Sequence, residues 1–419
     1  MNSTVEASAP EGTQTRGRFG GALAYPGFRW FLFGLILLSL GFWNIEVAQR
    51  WLAQELTGSP LSVGFIGFMG SVPVLLFSLP GGVLADRIDR VKLIVGSRGL
   101  SAIFAVIIGV LVALRIIQLW HVGLAAFAFG TMAAMELPGR QALFPSLVPK
   151  EELMHAIAIY SGVWSSSTIL GPAIAGWVIV QLGIEGCYFL TMALYLAAIT
   201  AFWQLRRYVR NDTAGETGES PWTALVGGLR YIAASPTLLG LLLLSLVLSV
   251  FGMTVYQALL PSFAANVLQG DASVFGLLLT FSGIGSLSAN ILLAVKAHIE
   301  HKGRYIVTVV LVFGASVVVL SLSTSLAFAA PFVVLGGIMS AGFMTLSTTL
   351  IQSSVSEEMR GRVMSAYMLT WGMSAFGSLL MGFIGSTLSV PVAIAIGGAL
   401  VMTLCAAILF KVPEIARLQ

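Results

Sequence analysis

Three acid–base pairs in apolar segments are the residues of this sequence whose types and spacing could carry proton chemistry. In each pair the acid precedes the base by four residues: Glu46 and Arg50, Asp86 and Arg90, Glu136 and Arg140. Such a pair shares one helical face in the favourable acid-first order. A half-buried carboxylate beside a guanidinium group can load and release a proton as its access to water changes. For Glu46 and Arg50, simple charge neutralisation is an equally open alternative.

Arg98 lies in an apolar segment without an acid four residues before or after it. A charge within lipid costs a few kcal/mol, so we expect it to pair with an acid on another helix, either Glu136 or Asp86. The alternative is that its side chain extends to the lipid headgroups. Glu46 is the best candidate for a proton carrier, because it lies about 27 Å along a helix that begins near Phe28. The candidates for proton coupling are therefore Glu46, Arg50, Arg98, Glu136 and Arg140.

The composition shows which kind of protein must hold these charges. Of 419 residues, 57% are hydrophobic and only 10% are charged, against about 25% in soluble domains. This balance excludes a soluble enzyme, a disordered chain and a nucleic-acid-binding protein. Cys187 and Cys405 lie in apolar runs without the spacing of a metal site, so we expect no metal and no cofactor.

Twelve apolar segments follow a polar N-terminal stretch, and each is long enough for a crossing of about 20 residues. Continuous apolar runs without alternation favour helices over a barrel. The sequence therefore predicts an all-α integral membrane protein with twelve transmembrane helices. We divide it into a disordered cytoplasmic tail (1–22), a six-helix bundle (23–207), a cytoplasmic linker (208–235), a second six-helix bundle (236–411) and a tail (412–419).

The basic residues predict the orientation of the chain. With the N-terminus in the cytoplasm, all 22 lysines and arginines except Arg50, Arg98 and Arg115 lie in or beside cytoplasmic segments, as the positive-inside rule requires. We therefore expect both termini to be cytoplasmic, in the plasma (inner) membrane of the cell.

An internal repeat indicates that the two bundles are pseudo-symmetric. The segment 148–160 aligns without gaps with the segment 355–367, and both begin with valine and end with tyrosine. Each lies at the turn between the fourth and fifth helix of its half. Two six-helix halves related by an axis along the membrane normal are a known transporter architecture.

The turn at 81–92 is the most specific motif. It resembles the signature loop of the major facilitator superfamily, with Gly82, Asp86, Arg87 and Arg90 in register, although Asp89 and Val91 replace the usual glycine and basic residue. The resemblance implies the twelve-helix fold of that family. It also implies that the aspartate faces the start of helix eleven and latches the cytoplasmic side, which here puts it near Arg360 and Arg362. The alternative is that the loop has no special role, because the cytoplasmic loops of membrane proteins are basic in general.

A second motif lies in the fifth predicted helix, where the pattern resembles one associated with antiporters of the same superfamily: Gly162, Gly171, Pro172, Gly176. The runs 51–61, 138–149 and 360–365 resemble the branch that contains enterobactin exporters and macrolide efflux pumps. This resemblance implies a drug or siderophore exporter driven by proton antiport. Many members have an aspartate where this chain has Phe42, so we expect Glu46, one turn later, to take over its role.

Polar and aromatic residues within apolar helices are the candidates for lining a substrate cavity between the halves: Trp43, Tyr256, Gln257, Asn290, Trp371. For each of them, ordinary helix packing is the alternative. No set of charges within the spans indicates a site for a highly charged solute.

Together these features predict a secondary active transporter and not an enzyme. It would export a hydrophobic or amphipathic small molecule by proton antiport with alternating access, as a monomer in the lipid bilayer. A proton-coupled uptake symporter is the first alternative, and a non-transporting membrane sensor or enzyme is the second.

Overall fold

The structure is a computed structural model, and it describes residues 21–209, 221–295 and 301–418. This part of the chain is helical and holds no strand, as expected where lipid cannot satisfy exposed backbone groups. We number its long helices as follows: α1 (Pro26–Thr57), α2 (Pro60–Arg87), α3 (Arg90–Ala113), α4 (Leu119–Leu143), α5 (Leu153–Leu205), α6 (Pro221–Ala234), α7 (Pro236–Val267), α8 (Ala272–Val295), α9 (Lys302–Leu320), α10 (Leu326–Ser353), α11 (Glu357–Thr387) and α12 (Val390–Lys411).

Eleven helices in the described ranges are long and apolar enough to cross a membrane. One of them, α5, has 53 residues and is interrupted at Gly183, whose φ of 75° and ψ of 173° are not helical. Glycine is the residue that adopts this conformation without strain. With the two segments of α5 counted separately, the number of crossings agrees with the predicted twelve, and the expected all-α membrane fold is confirmed.

The first half consists of α1 to α5 and the second of α7 to α12, and most helices pack within their own half. We call the end of the bundle where α3, α9 and α11 begin the basic end, because its described residues include Arg90, Lys302 and Arg360. The other end, where α2 and α8 begin, is the opposite end. The predicted linker at 208–235 contains a helix, α6, in which Gly228 lies against the backbone oxygen of Arg362.

Small residues bring the helices close together, as is usual in membranes, where packing drives helix association. In the first half, a Cβ at Gly130 of α4 would collide with the backbone oxygen of Gly70 in α2. Further along the same pair, a Cβ at Gly81 would lie 3.0 Å from the backbone of Ala134 and Met135. The sequence of α4 just before Glu136 is therefore held against α2.

Helix α7 is irregular. It contains three π-helical segments: Leu248–Met253, Val255–Leu259 and Phe263–Val267. Such segments are rare and occur often at functional sites. The middle one carries Tyr256 and Gln257, two of the residues that the sequence assigns to the substrate cavity.

Candidate functional site

A buried triad of charges lies between α3 and α4. Glu136 Oε2 accepts a hydrogen bond from Arg98 Nε, and Glu136 Oε1 lies 3.4 Å from Nη1 of Arg140. All three side chains are at most 6% exposed. Arg98 therefore pairs with Glu136, one of its two predicted partners, and the triad carries one net positive charge.

Tyr195, in the second segment of α5, supports the triad from the other side. The guanidinium carbon of Arg98 lies 5.0 Å from the centroid of its ring, a geometry that stabilises a cation. The ring in turn lies against Gly41 of α1, where any Cβ would collide with it. The absence of a side chain at Gly41 thus makes room for Tyr195.

A second charged pair lies on α1. Glu46 and Arg50 form a salt bridge within one helix, and Gln49 Nε2 donates to Glu46 Oε1 at 3.0 Å. The Glu46 side chain is 18% exposed, against 1% for Glu136. Glu46 is therefore more accessible than Glu136, and it belongs to a pair that carries no net charge.

An aromatic cluster links α1 to the triad. The Arg140 guanidinium carbon lies 5.6 Å from the centroid of the Trp164 ring, and that ring lies 5.8 Å from Phe42. Phe42 is also 5.5 Å from Trp43, which packs against Gly171 of α5. We call Phe42, Trp43 and Trp164 the aromatic cluster. Sequence reasoning missed Trp164, because an aromatic residue in an apolar helix gives no signal of its partner.

The two halves meet backbone to backbone at the opposite end. A Cβ at Gly276 of α8 would lie 2.6 Å from the oxygen of Pro172 and 3.1 Å from Cα of Gly176, both on α5. One turn later on α8, Thr280 Oγ1 donates to the oxygen of Ile169 at 3.3 Å. The predicted antiporter-like motif of the fifth helix therefore forms much of this contact between halves.

A matching contact joins α2 to α11. Gly64 of α2 and Gly382 of α11 lie so close that a Cβ on either would be 3.1 Å from the Cα of the other. A Cβ at Gly67 would lie 3.0 Å from the hydroxyl oxygen of Ser378, which is fully buried. Small residues on both sides thus close the opposite end.

A buried glutamine adds a polar latch at the same end. Ser262 of α7 donates its hydroxyl to Gln54 Oε1, and Gln54 Nε2 donates to Asn266 Oδ1 at 3.2 Å. Gln54 is 4% exposed and Ser262 is fully buried, so water does not compete for the bond between them, whereas Asn266 is exposed. We call Gln54, Ser262 and Asn266 the Gln54 latch. The sequence does not single out Gln54, because it lies among other polar residues, including Gln49, Arg50 and Glu55.

Helices α5 and α8 separate toward the basic end. Residues seven apart share a helical face, and Gly176 and Ile169 of α5 meet Gly276 and Gly283 of α8. The next positions on these faces are Gly162 and Asn290. Asn290 is exposed, and a Cβ at Gly162 would meet no atom within 4 Å. Of the motif in the fifth helix, Gly162 thus faces an opening while Gly171, Pro172 and Gly176 lie in contacts.

The predicted signature loop is described in part. Arg90 Nη1 donates to the backbone oxygen of Ala142 at 3.2 Å, which joins the start of α3 to the end of α4. A Cβ added at Gly82 would meet no atom within 4 Å. The side chains of Asp86 and Arg87 lie outside the described part. Arg360 is exposed and Arg362 half-buried. The latch between Asp86 and helix eleven stays a prediction.

The substrate-cavity candidates of the second half carry polar atoms without partners. Among the described residues, the Tyr256 hydroxyl, Gln257 Oε1 and Trp371 Nε1 are buried and make no hydrogen bond. The Trp371 ring lies 6.3 Å from that of Tyr367. Unpaired buried polar groups are costly, and a bound ligand could satisfy them. The assignment of these residues to substrate binding stays a prediction.

The sequence is similar to those of known membrane transporters over most of its length. Residues 21–419 match the model of the major facilitator family described as transmembrane secretion effector. The chain is 25% identical to the staphyloferrin A transporter of Staphylococcus aureus, over 91% of this chain and 95% of that protein. It is 24% identical to the multidrug efflux pump Tap of Mycolicibacterium fortuitum, over 84% of this chain and 87% of that protein. It is 26% identical to the enterobactin exporter EntS of Salmonella choleraesuis, over 85% of this chain and 84% of that protein.

The fold matches solved transporters. An inward-facing bacterial homologue of the human lysosomal transporter Spinster superposes with a TM-score of 0.70 at 17% identity, over 94% of this chain and 97% of that one. The resemblance predicted from the sequence motifs is therefore confirmed. The chain belongs to the transmembrane secretion effector family of the major facilitator superfamily, whose members are membrane transporters and not enzymes.

Proposed function

We propose that the protein exports a hydrophobic or amphipathic small molecule in exchange for protons, by alternating access between its two halves. The observation that carries this proposal is the course of α5 and α8. They touch backbone to backbone at Gly176 and Gly276, and about four turns further along a Cβ at Gly162 would meet no atom within 4 Å and Asn290 is exposed. Such a wedge between halves is expected of a transporter that is closed at one end and open at the other.

The basic end is assigned to the cytoplasm. Basic residues cluster there, including Lys302, Arg304 and Lys411, and cytoplasmic loops carry the excess of lysine and arginine in membrane proteins. This orientation supports cytoplasmic termini and an opening that faces inward. Export then requires that the opposite end, with its glycine contacts and the Gln54 latch, opens outward.

Glu46 is the proposed proton carrier. Protonating Glu136 would leave Arg98 and Arg140 buried together without a counter-ion, whereas protonating Glu46 leaves only Arg50 uncompensated. Glu46 is also the more exposed carboxylate. It lies one turn after Phe42, the position at which many family members have an aspartate. These features support a proton site at Glu46 and a structural role for Glu136.

Export is favoured over uptake by the relatives. Two of those compared are named as an efflux pump and an exporter, and the glycine–proline motif of α5 resembles that of antiporters. An uptake symporter would move substrate and protons in the same direction, so the sign of the proton flux separates the two functions.

Replacing Glu46 by glutamine tests the proposal. In everted vesicles with an acidic lumen, a panel of amphipathic anions, neutral molecules and cations is added, and proton efflux is followed with a pH-sensitive dye. The wild type should release protons with at least one class, and Glu46→Gln should lower this flux about tenfold or more, because no carboxylate remains to carry the proton.

Glu55→Gln is the matched control, since Glu55 is an exposed glutamate on the same helix, and it should keep the wild-type flux. Wild-type flux in Glu46→Gln would remove the proton assignment. Proton uptake into the lumen with substrate influx would replace export by symport.

Replacing Gln54 by leucine should loosen the opposite end. It removes two hydrogen bonds between the halves, of which the one to Ser262 is buried, and each is worth about 0.5–1.5 kcal/mol. The probe is Ser378→Cys, at a residue buried between α2 and α11. We expect its thiol to react several times faster with a water-soluble maleimide when Gln54→Leu is also present than when Gln54 is retained. The native cysteines are both buried. Gln181→Leu, at an exposed glutamine of the same end, should leave the rate unchanged, and an unchanged rate in Gln54→Leu would contradict the latch.

A further inference from the structure

The charged triad and the aromatic cluster have a feature that proton exchange does not use: a buried positive charge with an unfilled hydrogen-bond donor. We propose that Arg140, with the aromatic cluster, binds an oxyanion of the substrate, such as a carboxylate carried on an aromatic or apolar body. This inference rests on the proposed function, since it names the class of molecule that is exported.

The charge count favours an anion. Arg98 and Arg140 share one carboxylate, Glu136, and within the described residues neither makes a salt bridge to any other acid. A buried ion without full compensation is costly. An anionic ligand would neutralise the triad, whereas a cationic ligand would add a second uncompensated charge. A triad of this composition therefore selects against cations.

The unfilled donors show where the ligand would lie. Arg140 Nε is buried and makes no hydrogen bond, although the side chain is only 6% exposed. Trp43 Nε1, at the other end of the aromatic cluster, is also buried without a partner. A guanidinium group forms strong charge-assisted hydrogen bonds with oxyanions. One donor thus lies at each end of the aromatic cluster. This arrangement fits a ligand that is polar at its two ends and flat between them.

The rings supply the contact for the body of the ligand. Trp164 stacks beside the guanidinium of Arg140 at 5.6 Å and beside Phe42 at 5.8 Å. Phe42 and Trp164 are both half-buried, so part of each ring is free for contact. Trp164 follows Gly162 on α5 by two residues, so it lies at the same depth of the bundle as the opening but on a different face of the helix, toward α1 and α4.

The experiment measures equilibrium binding of three matched probes to purified protein in nanodiscs, without any gradient. The probes are 2-naphthoate, its neutral analogue 2-naphthamide and the cation 2-naphthylmethylammonium, with empty nanodiscs as the partition blank. We expect 2-naphthoate to bind about tenfold or more tightly than 2-naphthamide, and the cation to bind most weakly. Equal affinity for the acid and the amide in the wild type would overturn the proposal without any variant.

Arg140→Gln should reduce the ratio of acid to amide affinity to about one, because the charge that distinguishes the two probes is lost. Arg304→Gln, at an exposed arginine of the basic end, is the control for general surface charge and should keep the ratio. Arg140→Lys keeps the charge but loses Nε, so it should retain part of the preference. A full preference in folded Arg140→Gln would overturn the assignment to Arg140.

These outcomes are separate from those of the flux experiment. If 2-naphthoate binds with the expected charge preference but no substrate-dependent proton flux is found, only the antiport proposal is contradicted. If export is proton-coupled but 2-naphthoate binds no more tightly than 2-naphthamide, only the anion site is contradicted.

Discussion

Replacing Glu136 by alanine is expected to destabilise the protein by about 3–5 kcal/mol, because removing one partner of a buried ion cluster leaves uncompensated charge. Arg98 and Arg140 both rely on this carboxylate, and Glu136 is 1% exposed. Water cannot take its place. The measurement is equilibrium unfolding in mixed detergent micelles, followed by the intensity of the monomer peak in size-exclusion chromatography.

Two further variants show whether the loss comes from charge or from packing. Glu152→Ala removes a carboxylate paired with an exposed histidine, His155, and should change stability by about 0.5 kcal/mol or less. The triple variant Arg98→Met/Glu136→Leu/Arg140→Met should regain most of the stability, since apolar residues of similar size often replace a buried ion cluster without loss. It should also lose the preference for 2-naphthoate. Wild-type stability of Glu136→Ala would contradict the charge argument.

Replacing Gly276 by alanine is expected to lower transport about tenfold or more while the protein remains folded. The added Cβ would lie 2.6 Å from the backbone oxygen of Pro172 and 3.1 Å from Cα of Gly176. Both are main-chain atoms, which cannot move aside as a flexible side chain can. Helices α5 and α8 must then separate at the opposite end, and the closed state that alternating access requires becomes strained.

The readouts are substrate-dependent proton flux and maleimide labelling of a cysteine at Ser378. Labelling should become faster as flux falls, because both follow from an opposite end that no longer closes. Gly96→Ala is the matched control, since a Cβ at this exposed position of α3 would meet no atom within 4 Å; alanine is also the better helix former there. Normal flux in Gly276→Ala would show that the close contact is not needed for the transport cycle.

Local features of this protein were predictable from sequence because they depend on residues close together in the chain. The number of crossings follows from the length of apolar runs and the thickness of the bilayer. The pairing of Glu46 with Arg50, and of Glu136 with Arg140, follows from the four-residue spacing on one helix. The break at Gly183 has a local signal as well, because Gly183 and Glu185 interrupt an otherwise apolar run.

The latch by Asp86 concerns a side chain outside the described part, and the division of the chain into domains stays a prediction. The proposed role of Tyr256, Gln257 and Trp371 in substrate binding is supported by their unpartnered polar atoms and stays a prediction. Asn290 is placed by its helical face at the opening between α5 and α8, which is consistent with the predicted cavity.

The membrane environment, the helices, the charged pairs within helices and the family all follow from the order of the amino acids. Which helix faces meet depends on the packing of the whole bundle: Arg98 with Glu136, Gln54 with Ser262 and Asn266, and Arg140 with Trp164. The physical reason is that lipid is as apolar as the protein interior, so hydrophobicity does not mark the inward face of a membrane helix as it does in water. Partners more than a few residues apart are set by close packing of small residues, and that packing depends on the whole bundle.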